Sequence, residues 1–317
     1  MTDDADNTAL EGAMGRRGLL KCMAWAGTGV LWTVSGGVAE SVLATGAGAA
    51  PRMAGGLNFV QISDTHIGFN KAANPDTLGT LHEAIGKIKA LSVRPAFVIH
   101  TGDISQLSKE SEFDAADQAL MDIGLPIFHV PGEHDTLDDA NGAAYLAHYG
   151  KGTKGTGWYS FDHSGVHFIA LVNVVNLRPN GAGFLGEAQI KWIGDDVAHL
   201  PSSTPIVVMA HMPLWDVSTA WGWATSDAQP ALAHLRRFGS VTVLNGHIHQ
   251  VLQKTEGNIT FHTARSTAFP QAAPDTPGQS PGPLKVPADQ LRHVLGVRDV
   301  SRVNRGGPLA LVDTTLA

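Results

Sequence analysis

The stretch VPGEHD, residues 130–135, decides how the rest of the chain is interpreted, because it places three ionisable side chains directly after a short apolar run at residues 126–129. A Pro-Gly turn ends strand pairing, since proline lacks the N–H that a sheet needs and glycine adopts turn conformations without strain. Glu133, His134 and Asp135 can therefore leave the line of the strand and face a shared centre. The role of this hexapeptide depends on which ionisable residues follow the other predicted strands and lie near it.

Four other predicted strands also end in residues that can bind metal ions. Apolar runs typical of buried strands occupy residues 57–62, 96–99, 205–210 and 241–244. The ionisable residues that follow them are, in chain order, Asp64, His66, Asp103, His211, His247 and His249. Helical periodicity over residues 76–91 and 109–123 indicates that strands and helices alternate. This pattern predicts a largely parallel sheet whose carboxyl ends carry the functional site.

The second half of the chain departs from this alternation. Residues 157–171 predict a β-hairpin, and short apolar runs within residues 250–263 predict further antiparallel pairing. Six prolines within residues 270–287, interleaved with glycine, predict a surface arm rather than a core element. A short helix after the arm and a final strand at residues 309–314 complete one predicted α/β domain, which spans residues 51–317.

Composition limits the classes of function. The chain has 317 residues, of which 43% are hydrophobic and 16% charged, as in ordinary globular proteins. Its net charge of −7 argues against a broad basic face, so no nucleic acid is expected as a partner. Cys22 is the only cysteine, and it lies within the first fifty residues. The remaining chain therefore has neither thiolate catalysis nor cysteine-based metal sites.

Residues 1–50 are interpreted as a twin-arginine export signal and linker. Arg16 and Arg17 precede an uncharged, glycine-interrupted apolar run over residues 22–39, and small residues follow it. An uncleaved membrane span is the alternative that the length of the run leaves open. The signal predicts recognition by export machinery and a periplasmic or secreted location.

The residues at the strand ends have the chemistry of a metal centre. Carboxylate and imidazole groups are ligands that borderline divalent ions accept, and eight such groups are too many for one tetrahedral ion. Two ions that share one carboxylate are the simplest explanation. Each motif alone has an ordinary structural explanation, such as a turn aspartate beside a surface histidine. Their joint occurrence at successive strand ends favours the metal centre.

In this order and at these spacings, the motifs resemble those of the calcineurin-like metallophosphoesterases, D-x-H, G-D, G-N-H-[DE], H and G-H-x-H. The resemblance covers about residues 57–263 and extends to the members that are cyclic nucleotide phosphodiesterases. It implies a four-layer α/β/β/α sandwich with two mixed sheets. It also implies two metal ions, one held by Asp64, His66, Asp103 and His249 and the other by Asp103, Glu133, His211 and His247.

The resemblance implies hydrolysis of a phosphate ester by a hydroxide that bridges two ions of iron, manganese or zinc. His134 would protonate the leaving oxygen, and Asp135 would orient its ring. The partner would be a small-molecule phosphate ester, and a homo-oligomer is left open. Glu133 departs from the family pattern, which has asparagine there. Its extra negative charge favours phosphodiesters over dianionic phosphomonoesters, or a harder ion at the second site.

Two alternatives to a phosphodiesterase remain at this stage. The first is a phosphomonoesterase, because shared metal ligands do not specify a substrate. The second is a protein that binds metal without catalysis, with Glu133 marking an altered site. A loop with Trp215, Trp221 and Trp223 is interpreted either as a rim that stacks on an apolar group of the substrate or as core or dimer packing.

Overall fold

The computed structural model describes residues 30–35, 38–43, 56–138, 140–302 and 309–317. Most of the predicted export signal, including Arg16 and Arg17, lies outside these residues and stays a prediction. Within it, strand β1 (Val30–Ser35) pairs antiparallel with β2 (Val38–Leu43). In the part of the chain that is described, no helix has the length and apolar character needed to cross a membrane.

The remaining strands form two mixed sheets. They are β3 (Asn58–Ile62), β4 (Val98–His100), β5 (Ile127–His129), β6 (Tyr159–His163), β7 (Val166–Ala170), β8 (Ile206–Met209), β9 (Val241–Asn245), β10 (Gln253–Glu256), β11 (Ile259–Thr263), β12 (Gly296–Arg302) and β13 (Leu309–Thr315). The first sheet has the order β13-β12-β3-β4-β5, and the second has the order β10-β11-β9-β8-β7-β6. The strands β3, β4 and β5 are parallel, as are β7, β8, β9 and β11, and antiparallel strands lie outside them.

Helices cover the outer face of each sheet. They are α1 (Thr77–Lys89), α2 (Glu110–Met121), α3 (Ala143–Tyr149), α4 (Glu187–Val197), α5 (Ala228–Leu235) and α6 (Leu291–Val294). One hydrophobic cluster joins α1, α2 and α6 to the first sheet, and another joins α4 and α5 to the second. Helix α1 begins where the carboxylate of Asp76 accepts a hydrogen bond from the N–H of Gly79 at 2.8 Å.

A third hydrophobic cluster lies between the two sheets and includes the side chains of Phe59, Phe97 and Phe168. The rings of Phe59 and Phe97 stack at 5.1 Å, and the edge of Phe168 meets Phe59 at 5.5 Å. Each buried phenylalanine contributes about 2–3 kcal/mol of hydrophobic stabilisation. The layers therefore run helix, sheet, sheet, helix, which confirms the predicted four-layer α/β/β/α sandwich with two mixed sheets.

Two parts of the prediction need correction. Strand β12 was not predicted, although it lies inside the first sheet between β3 and β13. The proline-rich arm at residues 270–287 begins in the interior, because Pro270, Gln271 and Ala272 are buried, and only its later part is on the surface. Gln271 donates a hydrogen bond to the carbonyl oxygen of His247 at 2.7 Å, so the start of the arm supports a predicted ligand.

His167, on strand β7, contacts one carboxylate on the edge strand β6 and one on helix α4. Its Nδ1 lies 2.9 Å from Asp162 Oδ1, and its Nε2 lies 2.9 Å from Asp196 Oδ2. Burial lowers the pKa of His167, but the hydrogen bonds and charges of Asp196 and Asp162 outweigh it and raise that pKa above its usual value. Because the folded-state pKa is raised, this stabilisation is complete below about pH 6.5 and is lost as pH rises through the folded-state value.

We therefore expect H167Q to lower the free energy of unfolding by about 1–2 kcal/mol at pH 6 and by clearly less at pH 9. Urea unfolding at both pH values measures the difference. The matched control is H199Q, since His199 is an exposed histidine just after helix α4. An equal loss of stability by H167Q at pH 6 and pH 9 would contradict the ionic contribution of this histidine.

Candidate metal centre

The candidate site lies where the carboxyl ends of both sheets meet. The predicted residues follow β3, β4, β5, β8 and β9 directly and comprise Asp64, His66, Asp103, Glu133, His134, Asp135, His211, His247 and His249. The N–H of His247 donates to Asp64 Oδ1 at 3.0 Å, and the N–H of Gly246 donates to the carbonyl oxygen of His211 at 3.1 Å. These bonds connect loops from different strands and sheets. The structure thus brings all nine predicted side chains to one region.

The backbone in this region is strained. Among the predicted ligands, the residues with left-handed φ angles, all between 42° and 66°, are Asp64, His66, Asp103, His247 and His249. Such conformations are uncommon for residues other than glycine and cluster at functional sites. In this protein they turn successive ligands inward just after each strand ends.

Two motif glycines are needed because the loops approach each other closely. A Cβ atom on Gly132 would lie 2.0 Å from Asp103 Oδ1, and one on Gly246 would lie 2.0 Å from Ser63 Oγ. Neither distance is compatible with van der Waals contact. The absence of a side chain therefore lets Asp103 lie against the backbone of Gly132, and Ser63 and Asp64 against the backbone of Gly246.

The first donor set consists of Asp64, His66, Asp103 and His249, each offering one ligand atom within 4.8 Å of the others. All four residues are buried. His249 Nε2 lies 3.2 Å from Asp64 Oδ1, and His66 Nε2 lies 3.4 Å from Asp103 Oδ2. The two Nε2 atoms lie 3.3 Å apart. This is the set that the family resemblance implies for one ion.

The second donor set consists of Glu133, His211 and His247, whose ligand atoms also lie within 4.8 Å of one another. Glu133 Oε2 lies 2.7 Å from His211 Nε2, and Glu133 Oε1 lies 2.9 Å from His247 Nδ1. The carboxylate of Glu133 thus faces both imidazoles, in the position that the family pattern gives to asparagine.

Asp103 lies between the two donor sets. Its Oδ2 is 3.4 Å from His66 Nε2 in the first set and 3.5 Å from His211 Nε2 in the second. Its other oxygen, Oδ1, accepts a hydrogen bond from the N–H of His134 at 2.9 Å. One carboxylate oxygen is therefore available to both sets, as a shared ligand requires.

The donors fit cations because several of their buried polar atoms have no hydrogen-bond partner. These atoms are Asp64 Oδ2, Glu133 Oε2, His211 Nε2 and His247 Nδ1. Glu133 Oε2 and His211 Nε2 are close together, but the angles of this contact are not those of a hydrogen bond. Both atoms therefore remain without a hydrogen-bond partner. Unpaired buried polar atoms are costly, and a metal ion at each set would satisfy them.

The ring orientations of three histidines support the same conclusion. The Nδ1–H groups of His66, His211 and His249 face Gln106 Oε1 at 3.1 Å, the Thr101 carbonyl at 2.7 Å and the Phe269 carbonyl at 2.6 Å. Each contact leaves the Nε2 lone pair of that ring directed at the centre. Lone pairs of His66 and His249 that face each other repel unless a cation lies between them.

The protonation states of His66 and of the carboxylates suit metal ligands. Burial lowers the pKa of His66 to about 3, which keeps its imidazole neutral. Burial opposes the ionisation of Glu133, but His247 and His211 outweigh it and hold the pKa of this carboxyl well below its usual value. The pKa of Asp103 is lowered as well, because His211, His134 and His66 outweigh burial and the charge of Glu133. The carboxylates are therefore ionised at neutral pH. Burial lowers the pKa of His211, but Asp103 and Glu133 outweigh it and raise that pKa well above its usual value, so His211 must release a proton when it binds a metal ion.

The predicted contact between Asp135 and the ring of His134 is not formed, and this expectation is corrected. The oxygens of Asp135 accept hydrogen bonds from the N–H groups of Gly132, Ile104 and Ser105, at 2.9, 3.0 and 2.8 Å. Adjacent residues in the short helical turn Glu133–Thr136 point in different directions, so Asp135 turns into the interior instead. It holds the loop after β5 against the loop after β4.

His134 is oriented by Gln106, a residue that lies outside every motif named above. The Nδ1–H of His134 donates to the carbonyl oxygen of Gln106 at 2.8 Å, which leaves Nε2 available for a substrate. Burial lowers the pKa of His134, but Asp103, Glu133 and the Gln106 carbonyl outweigh it and raise that pKa above its usual value. The position of Gln106, three residues after Asp103, was the only signal in the sequence.

The tryptophans of the loop after β8 have different environments, some typical of core packing and one compatible with substrate stacking. Trp215 is buried and packs against Phe261 at a ring separation of 5.3 Å, which is core packing. Trp223 is buried as well, with its ring centre 6.1 Å from that of His247. Trp221 is half-buried and meets Trp223 edge-on at 4.8 Å. A stacking role for Trp221 at the rim stays a prediction.

Comparison with protein-family models gives a match over residues 57–251, and the model is described as calcineurin-like phosphoesterase. The chain is 25% identical over 219 residues to a probable cyclic nucleotide phosphodiesterase of Rhodopseudomonas palustris, covering 67% of this chain and 78% of that protein. It is 24% identical over 221 residues to the glycerophosphodiester phosphodiesterase GpdQ of Enterobacter lignolyticus, covering 66% of this chain and 77% of that protein.

Among solved structures, the fold is similar to that of a purple acid phosphatase isolated from yellow lupin (Lupinus luteus) seeds. The TM-score is 0.59 and the sequence identity is 14%, with 82% of this chain and 51% of the lupin chain covered. At this level of identity the likeness concerns the fold.

Proposed function

We propose that this chain, which belongs to the calcineurin-like phosphoesterase family, hydrolyses phosphodiesters with two metal ions held by the two donor sets. The chain is a metal-dependent phosphoesterase by family and by its phosphodiesterase relatives. The observation that carries the two-ion proposal is the position of Asp103 Oδ2, 3.4 Å from His66 Nε2 and 3.5 Å from His211 Nε2.

The proposed roles of the site residues are metal binding and proton transfer. Two bound divalent ions would polarise the phosphoryl group and supply the nucleophilic water. Asp64, His66 and His249 would hold one ion, while Glu133, His211 and His247 would hold the other and Asp103 would contact both. His134 is fixed through Nδ1 and presents Nε2, from which a proton can pass to the leaving oxygen.

The preference for diesters rests on charge as well as on the names of the relatives. Two divalent ions with Asp64 and Asp103 would have a formal charge of about +2, which ionised Glu133 lowers to about +1. A monoester dianion loses more attraction from this change than a diester monoanion does. The residue that departs from the family pattern therefore favours the substrate with less charge.

The test of this function is the hydrolysis of bis-p-nitrophenyl phosphate and p-nitrophenyl phosphate by the purified protein, loaded in turn with Mn²⁺, Zn²⁺ and iron. We expect the diester to be hydrolysed with the higher kcat/KM over the pH range tested. Faster hydrolysis of the monoester at every pH would contradict the proposed preference. Metal analysis of the same samples should give two ions per chain.

We expect E133N to lower the ratio of diester to monoester kcat/KM by about tenfold. One unit charge at about 5 Å in an effective dielectric of about 20 corresponds to about 3 kcal/mol, and solvent screening at this partly exposed side chain reduces it to about 1.4 kcal/mol, or tenfold. Glu133 is 22% exposed, which is the reason for this reduction. Steady-state kinetics on both esters measures the ratio.

The matched variant E133Q removes the charge and keeps the length of the side chain. It should change the ratio in the same direction as E133N if charge sets the preference. Metal content is measured in parallel, since loss of the second ion would lower both activities together. An unchanged ratio in both variants, with two ions retained, would refute the electrostatic explanation.

A further inference from the structure

We propose that Gln106 is a positioning residue whose side-chain amide sets His66, a ligand of the first donor set, so that the Nε2 atom of this ring faces the metal ion. The proposal requires only metal binding and does not depend on the proposed reaction. Gln106 lies on the loop after β4, is half-buried, and contacts the ring of His66 with its amide oxygen. It belongs to neither donor set, so its effect is exerted through this histidine.

This contact fixes the metal-binding nitrogen of His66. Gln106 Oε1 lies 3.1 Å from His66 Nδ1 and can only accept, so the proton must be on Nδ1. His66 Nε2 then has its lone pair directed at Asp103 Oδ2 and His249 Nε2, at 3.4 and 3.3 Å. Partners of this kind on the far nitrogen of a histidine ligand typically change metal affinity by about 10–100-fold.

The ring of His134 is held by the backbone of Gln106 and not by its side chain. The Nδ1–H of His134 donates to the backbone carbonyl of Gln106 at 2.8 Å. The amide nitrogen Nε2 of Gln106 lies 3.2 Å from the same Nδ1, but both groups are donors, so the side chain forms no hydrogen bond with this ring. The rings of His66 and His134 are 4.8 Å apart and nearly perpendicular at 77°. Every variant at position 106 keeps the backbone carbonyl that holds His134, so a side-chain substitution tests the effect on His66 alone.

The backbone that carries Gln106 is held independently of its side chain. The N–H of Gln106 donates to the carbonyl of Ile67 at 2.9 Å, and the N–H of Leu107 donates to Glu112 Oε2 at 2.6 Å. Asp135 accepts from the preceding N–H groups of Ile104 and Ser105 at 3.0 and 2.8 Å. Substitution of Gln106 should therefore remove the amide contact while the loop keeps its position.

The experiment compares Q106A with Q106E, which keeps an acceptor of similar length for His66. Calorimetric titration of the metal-free protein with Mn²⁺ measures affinity, and kinetics on aryl phosphodiesters with increasingly basic leaving groups measures protonation by His134. We expect Q106A to bind the tighter Mn²⁺ ion about tenfold more weakly. The dependence of kcat on leaving-group basicity at saturating Mn²⁺ should match the wild type, because the backbone carbonyl that holds His134 is retained. Q106E should restore Mn²⁺ affinity to within about threefold.

The control is Q118A, because Gln118 is an exposed glutamine on helix α2, and it should match the wild type in every measurement. Wild-type Mn²⁺ affinity in Q106A would overturn the proposal. So would equal losses in Q106A and Q106E accompanied by a lower Tm, since that result indicates a structural role alone. If the wild type binds Mn²⁺ but hydrolyses no ester, the proposed function fails, while weaker binding by Q106A still supports the role toward His66.

Discussion

D103N is expected to reduce kcat/KM for bis-p-nitrophenyl phosphate by about three to four orders of magnitude and to reduce the metal content below two ions per chain. The Oδ2 atom of Asp103 lies 3.4 Å from His66 Nε2 and 3.5 Å from His211 Nε2, so both donor sets lose the same oxygen. Asparagine can still accept from the N–H of His134 with its remaining oxygen, as Asp103 Oδ1 does at 2.9 Å. The expected loss therefore reflects metal binding and not collapse of the loop. Removing a group that acts with the whole catalytic unit typically costs this much.

Metal analysis and calorimetric titration with Mn²⁺ distinguish this result from a general loss of structure. The matched control is D122N, an exposed aspartate just after helix α2, which should retain both ions and full activity. Thermal unfolding of the metal-free proteins should give similar Tm values for D103N and the wild type. Two retained ions with activity within tenfold of the wild type would refute the shared-ligand role of Asp103.

The sequence was sufficient to predict which side chains meet because the motif residues follow parallel strands. The carboxyl ends of β3, β4 and β5 lie at one edge of the first sheet, and those of β8 and β9 lie at the facing edge of the second. The two sheets pack face to face, which brings Asp64 after β3 and His249 after β9 within 3.2 Å of each other. The positions of these residues depend on where each strand ends, which apolar patterning predicts well.

Strand β12 could not be predicted from apolar patterning, because charged residues interrupt it. Arg298 is buried, and its guanidinium donates to both carboxylate oxygens of Asp313, at 2.9 and 3.0 Å, and to Gln61 at 3.3 Å. Asp313 lies on the next strand, β13, whereas Gln61 lies on β3 and is far away in the chain. A buried arginine has no apolar signature, and only tertiary pairing explains its position.

Side-chain direction within the site was equally beyond sequence reasoning. His134 and Asp135 are adjacent in the chain, which suggested a hydrogen-bonded pair, but the helical turn at Glu133–Thr136 points them apart. The carbonyl of Gln106 takes the place of the expected carboxylate. Likewise, the left-handed backbone of Asp64 and His247 has no sequence signal, since neither position carries a glycine.

H134A is expected to lower kcat for phosphodiesters by about two to three orders of magnitude while two ions remain bound. General acid catalysis by a positioned histidine typically contributes about 10²–10⁴-fold. The loss should be smallest for p-nitrophenolate and largest for strongly basic leaving groups, which cannot depart without a proton. The ring of His134 is held through Nδ1 by Gln106 and is dispensable to both donor sets, so metal content should not change.

The measurement pairs metal analysis with kinetics over a leaving-group series, and H82A at an exposed position on helix α1 is the control. His134 also lies within 4.8 Å of ligand atoms on Asp103 and Glu133, so it competes as a ligand of the second ion. Loss of one ion in H134A, with an activity loss independent of the leaving group, would assign it that role instead. A wild type that binds two ions and hydrolyses no ester would favour the non-catalytic metal-binding alternative. Retained metal with a leaving-group-dependent loss is the result that only an acid at this position produces.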